Sequence, residues 1–181
     1  MATVSSAPDR GPPIWRQLLA IALLPAVATI VVPALLVSGY GADVGWGLPS
    51  AAGALPPLIG AASIAVGLRL MFETISLFGT AGEGTLAPWD PTRALVVRGP
   101  YRQVRNPMIT GVGLVLLGEA AALGSLPILA WFGLFALANA IYIPLVEEPG
   151  LARRFGDDYA EYRRSVPRWI PRRQPWTPGT G

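Results

Sequence analysis

Three short segments hold the residue types that can do chemistry: Arg-Gly-Pro-Tyr-Arg-Gln-Val-Arg-Asn-Pro at 98–107, Gly-Val-Gly at 111–113, and Glu-Glu-Pro-Gly-Leu at 147–151. Arg102 and Arg105 carry forked guanidinium donors suited to a carboxylate or a phosphate. Gly111 and Gly113 let a ligand approach a helix backbone closely. Glu147 and Glu148 can accept from ribose hydroxyls or an amino group, and they favour a nearby cation. Together these groups suit a ligand with a carboxylate, an amine, a ribose and a positive centre. The chain has no Cys and no His, which excludes thiolate nucleophiles, disulfides, zinc-cysteine sites and the commonest general base. No metal site is expected.

The elements that must position these residues are apolar. Of 181 residues 52% are apolar and 14% charged, and the mean hydropathy is +0.46. Those values exclude disorder and point to lipid as the solvent. The apolar residues fall into runs at 14–38, 50–72, 107–126 and 127–146, each near the ~20 residues that cross a ~30 Å hydrocarbon core. The first is longer than the ~7–15 residues of a signal peptide's apolar stretch, so a retained helix is expected, kinked at Pro25 and Pro33. Gly-Ser-Leu-Pro at 124–127 closes the last two runs into a transmembrane hairpin. Its third helix begins and its fourth ends at one membrane face, which gathers Arg105, the glycines and the glutamates around one cavity.

Between the second and third runs, residues 79–106 form a long loop with Trp89, Tyr101 and four arginines. After the fourth, Leu151, Phe155, Tyr159, Tyr162 and Val166 recur every three or four residues, which predicts an interfacial amphipathic helix over 147–166. All fourteen basic residues are Arg. Arg10 precedes the first run and Arg16 lies at its beginning, the loop has four, and the tail from Arg153 onward holds half of them. The connections at 39–49 and 123–126 have none. The positive-inside bias then predicts one all-α membrane domain over 1–181, with four spans, a cytoplasmic loop and both termini cytoplasmic. The net charge of +3 reads as juxtamembrane charge facing anionic lipid, since no basic run is interleaved with aromatics as a nucleic-acid surface requires. Abundant Arg, Ala, Gly and Pro without Lys suggest a GC-rich bacterial genome and its plasma membrane.

Within the hairpin Glu119 and Asn139 are polar residues at membrane depth, a functional signal by default. Glu119 lies ~18 Å along its helix from Pro107, which suits helix pairing or an acceptor pocket. Asn139 shares a face with Ile143 and Glu147. Arg69 and Glu73 read as a solvated ion pair, Trp15, Trp46 and Trp169 as interfacial anchors, and Trp89 and Tyr101 as loop aromatics able to stack on a planar ring.

In order and combination, GPYRQVRNP, EEPGLARRFGDDYAEY and VPRWIP resemble the isoprenylcysteine carboxyl methyltransferase and phospholipid methyltransferase superfamily of integral membrane enzymes. The likeness runs from about Gly84 to Pro171, and the first two spans carry almost none of it. It implies methyl transfer from S-adenosylmethionine to a lipophilic acceptor, the donor arriving from the cytosol and the acceptor from the bilayer. It places the donor on Arg105, Gly111, Gly113, Glu147 and Glu148; Tyr101 and Arg102 are expected to bind it as well, and Arg105, Asn106 and Glu147 are the expected catalytic residues. Many relatives have His where this chain has Asn106, and often Tyr where it has Ile109, so a mechanism that needs that histidine as base is in doubt. A carboxylate acceptor needs no base and suits such a site. The alternatives are an amine-lipid N-methyltransferase, a non-catalytic membrane subunit, and a nicotinamide-dependent lipid reductase, for which no nucleotide motif is present.

Overall fold

The computed structural model describes residues 23–81 and 95–177. Among them the chain is helix and turn, with no strand. The helices are α1 (Leu23–Tyr40), the single turn α2 (Ser50–Gly53), α3 (Leu55–Ala81), α4 (Pro107–Leu123), α5 (Leu126–Tyr142) and α6 (Glu148–Ser165). A 3-10 turn occupies Gly99–Arg102. Among the described residues, three helical stretches are long and apolar enough to cross a membrane: Leu23–Tyr40, Ala51–Leu77 and the apolar part of Leu126–Ser165. The fourth apolar helix, α4, has 17 residues.

Several boundaries differ from those expected. The first run continues to Tyr40, and its expected start over 14–22 lies outside the described residues. The second breaks at Ala54 and then runs to Ala81, so the segment expected as loop from 79 is still helical at its start. Residues 82–94, with Trp89, lie outside the described residues. The third run stops at Leu123 rather than 126, because Gly124 adopts the left-handed conformation that ends a helix, and α5 starts one residue earlier than expected. Ser125 caps it, accepting from the Ile128 N–H.

Proline leaves its mark on both long irregular helices. α1 widens to π-helix over Val27–Val31, just before Pro33, whose missing N–H cannot bond back into the preceding turn. The buried Thr29 hydroxyl donates to the Pro25 carbonyl at 2.8 Å. A second π segment, Ile143–Glu147, contains Pro144 and links α5 to α6.

The spine of the molecule is the antiparallel pair α3 and α4. Gly60 and Gly67 on one helix meet Gly118 and Gly111 on the other, each pair seven residues apart. A Cβ on Gly67 would stand 2.6 Å from the Gly111 carbonyl oxygen, and one on Gly118 2.6 Å from that of Gly60. Only bare backbones can close to this distance. Ser63 ties the seam by donating to the Leu114 carbonyl at 2.8 Å. On another face of α4, Val112 and Leu116 form a core with Ala28 of α1 and Trp131, Phe132 and Phe135 of α5.

Protein covers both ends of α4. At the hairpin turn, the Asp43 N–H donates to the Leu123 carbonyl and the Trp46 indole to that of Ala121. At the arginine-rich end, the Arg105 N–H donates to the Pro167 carbonyl. α6 has the expected amphipathic pattern, kinked at Gly156 with φ 51°. Its apolar stripe is covered by protein: Tyr159, Tyr162 and Val166 pack with Trp176, Leu95 and Val97.

Candidate functional site

The π segment decides how the two glutamates diverge. One extra residue in a helical turn re-aims every side chain beyond it, and here Glu147 ends exposed while the Glu148 side chain is only 3% exposed. Arg105, 10% exposed, donates through Nη1 to Glu148 Oε1 at 2.8 Å. Arg168 grips the same carboxylate with both branches of its fork, Nε to Oε1 at 2.6 Å and Nη2 to Oε2 at 3.0 Å. Arg163, more loosely, comes within 3.6 Å of Oε2.

Burial alone would push the Glu148 carboxyl up. The hydrogen bond from Arg168 and the charges of Arg105, Arg168 and Arg163 outweigh it, and hold the group below its ordinary range. One carboxylate thus faces three guanidiniums, and the surplus is positive. Arg105 Nε is buried with no hydrogen-bond partner among the described residues. Tyr159 completes the cluster, accepting from Arg105 Nη1 at 3.4 Å.

The tail lies along the arginine motif. Backbone bonds join the Arg105 N–H to the Pro167 carbonyl, the Arg172 N–H to that of Gln103, and the Trp176 N–H to that of Arg102. Arg102 takes part in this pairing through its side chain, donating to the Trp176 carbonyl and the Thr177 hydroxyl. Asn106 donates to the Arg168 carbonyl at 3.4 Å. The Tyr162 hydroxyl donates to the Tyr101 carbonyl at 2.8 Å. Burial, then Tyr162, then the charge of Glu147 push the Tyr101 phenol above its ordinary range, so it stays neutral.

Beside this cluster a cleft of about 340 Å³ opens between α4 and α5. Gly113, Leu114 and Leu117 form one wall, Phe132, Phe135 and Asn139 the other, and Trp169 of the tail lines it as well. Thr110, also in the lining, donates to the Trp169 carbonyl at 3.3 Å, which puts Trp169 at the end nearest the arginines. Among the described residues, no ionisable side chain lines the cleft. Asn139 donates to the Phe135 carbonyl of its own helix at 2.8 Å, and its carboxamide oxygen takes no hydrogen bond from the described residues.

The two glycines of Gly-Val-Gly part company. Gly113 lines the cleft, where a Cβ would meet only Phe132 at 3.6 Å, whereas Gly111 is pressed against Met71 and Gly67 of α3. Arg105 and Glu148 bond to each other, the charge of Glu147 acts on the Tyr101 phenol, and Arg102 and Asn106 hold the tail. Arg168, Arg163 and Tyr159 were not among the expected site residues, Tyr159 being legible only as part of the apolar stripe of α6. The only trace of Arg168 was its place inside VPRWIP. Glu119 has one carboxylate oxygen buried without a partner and does not line the cleft. Among the described residues no cluster of acidic side chains could hold a metal ion.

A family model described as phospholipid methyltransferase matches residues 56–158, more than half of the chain. The match takes in α3, the arginine motif, the α4–α5 hairpin and the first part of α6. It begins well before Gly84, so the second apolar run does carry family signal. No curated protein matches the chain.

Proposed function

Because the chain belongs to the phospholipid methyltransferase family, a family of membrane methyltransferases, we propose that it transfers a methyl group from S-adenosylmethionine to a lipophilic carboxylate. The observation that carries the carboxylate reading is the cleft: apolar walls and, among the described residues, no ionisable lining side chain that could serve as a base. A carboxylate is anionic at neutral pH and gives up no proton when methylated, so it needs no base from the protein. Phe132, Phe135 and Leu117 exclude water from the acceptor, and the Asn139 N–H that is not given to Phe135 can donate to it.

The residues at the arginine-rich end fit the donor. The positive surplus around Glu148 and the unpartnered Arg105 Nε suit its carboxylate, Gly113 leaves the α4 backbone open, and exposed Glu147 can accept from its amine or ribose. Bound there, S-adenosylmethionine would supply an electrophilic methyl on a sulfonium sulfur. The protein's contribution is then positioning and water exclusion.

The family match favours a second reading, in which the acceptor is a phospholipid amine. That substrate must lose a proton, and Glu147 or water would have to take it. Membranes containing the enzyme, supplied with methyl-labelled donor, should release base-labile label as methanol if esters are formed. Label that resists base and stays with lipid head groups overturns the carboxylate reading in favour of the amine.

A further inference from the structure

We propose that Glu148 and Arg168 form a latch that holds Trp169 across the end of the α4–α5 cleft, making Trp169 the side chain that gauges what enters. The tail is pinned firmly at two places, by the Arg105 N–H to Pro167 and by the Arg172 N–H to Gln103. Between them, Ile170 and Pro171 are exposed. The bonds from Asn106 and Thr110 to the carbonyls of Arg168 and Trp169 are long, 3.4 and 3.3 Å, near the limit for a hydrogen bond. The Trp169 indole N–H makes no hydrogen bond among the described residues. What fixes the position of residues 168–171 is therefore the two-pronged grip of Arg168 on Glu148, at 2.6 and 3.0 Å.

Glu148 is a rigid anchor for that grip. It opens α6, is buried, and is bonded as well to Arg105 of the arginine motif. The pair of glutamates therefore divides its work: Glu148 positions the tail, and Glu147 is left to meet a ligand. The effect of Trp169 on the choice of acceptor rests on the methyl-transfer reading, whereas the latch does not.

A chain without cysteine allows a test that needs no activity. Ile109→Cys puts a thiol in the cleft lining beside Trp169, and Asp43→Cys puts one at the opposite end of the molecule. Alkylation by a polar maleimide is timed for each single-thiol protein in detergent, with and without Arg168→Gln. The latch requires the thiol at position 109 to react about tenfold faster or more in the Gln background, the lower end of what losing a hydrogen bond to a charged group does to an equilibrium. The thiol at position 43 should keep its rate, and Arg168→Lys should fall between, since an ammonium cannot rebuild a two-pronged bond. A rate at position 109 equal to the parent's overturns the latch. Equal acceleration at both positions also overturns it, by showing that Arg168 supports the fold at large.

Discussion

Glu147 and Glu148 are adjacent and chemically identical, yet their surroundings give them opposite fates. Glu148 is enclosed by three guanidiniums, of which Arg163 is 57% exposed and Arg105 10%. Replacing it with Gln leaves the buried Arg105 without its counter-charge, and breaking a buried pair costs about 3–5 kcal/mol. Arg163 and Arg168 reach water and reduce the loss, so the lower end is expected, a fall in melting temperature of roughly 5–10 °C for a chain of this size. Glu147→Gln should leave the melting temperature unchanged and weaken donor binding. The two variants, compared by thermal unfolding and donor titration, should thus separate cleanly. Acid provides an independent reading. A carboxylate whose folded pKa is depressed contributes stability that is complete above its unfolded pKa and is lost as pH falls through the folded value. The parent should accordingly lose melting temperature below about pH 4.3 more steeply than Glu148→Gln, which has no carboxylate there to protonate. Parallel pH profiles would mean that the cluster contributes nothing to stability.

At the scale of elements, α4 shows how one helix serves two neighbours. Successive residues turn by about 100°, so Gly111 and Gly113 cannot face the same way. One closes the seam with α3 and the other opens onto the cleft. Gly111→Ala puts a methyl 2.7 Å from Met71 Cγ and 2.9 Å from the Gly67 carbonyl oxygen, and such overpacking costs about 1–3 kcal/mol. Gly113→Ala meets Phe132 at 3.6 Å, an ordinary contact, so stability should hold while ligand affinity falls. Equal stability for the two variants in a thermal scan would contradict the seam. The apolar runs were legible because a bilayer demands them. The mate of Gly111 was not, since the heptads Gly60/Gly67 and Gly111/Gly118 lie on different helices and acquire meaning only when paired. Nor could hydropathy show that the second helix continues to Ala81, because Gly79 and Thr80 read as turn residues until neighbouring structure overrides them.

For the molecule as a whole, the arginine motif and the glutamates were visible as sequence, but the tail that joins them was not. It is attached largely through backbone bonds from residues 102–105 to 167–176, and backbone groups leave no mark on residue type. The same attachment bears on how a 17-residue α4 can cross a bilayer. At 1.5 Å per residue it spans about 26 Å, short of the ~30 Å core. Residues 43–46 cover one of its ends and Pro167 the other, so its terminal polar groups meet protein rather than lipid, and the helix need not reach the headgroups itself. Four crossings are then expected, with the arginine-free connection at 41–49 outside and the motif, α6 and tail in the cytosol. In the Cys-free chain, a thiol at Asp43, an exposed position, should react with an impermeant reagent added to intact cells. A thiol at Ser165 should react only after the membrane is opened. The reverse pattern would put the arginine-rich cluster outside, away from any cytosolic donor. Labelling of both positions from outside would mean an even number of crossings between them, two in place of three, with α4 failing to traverse.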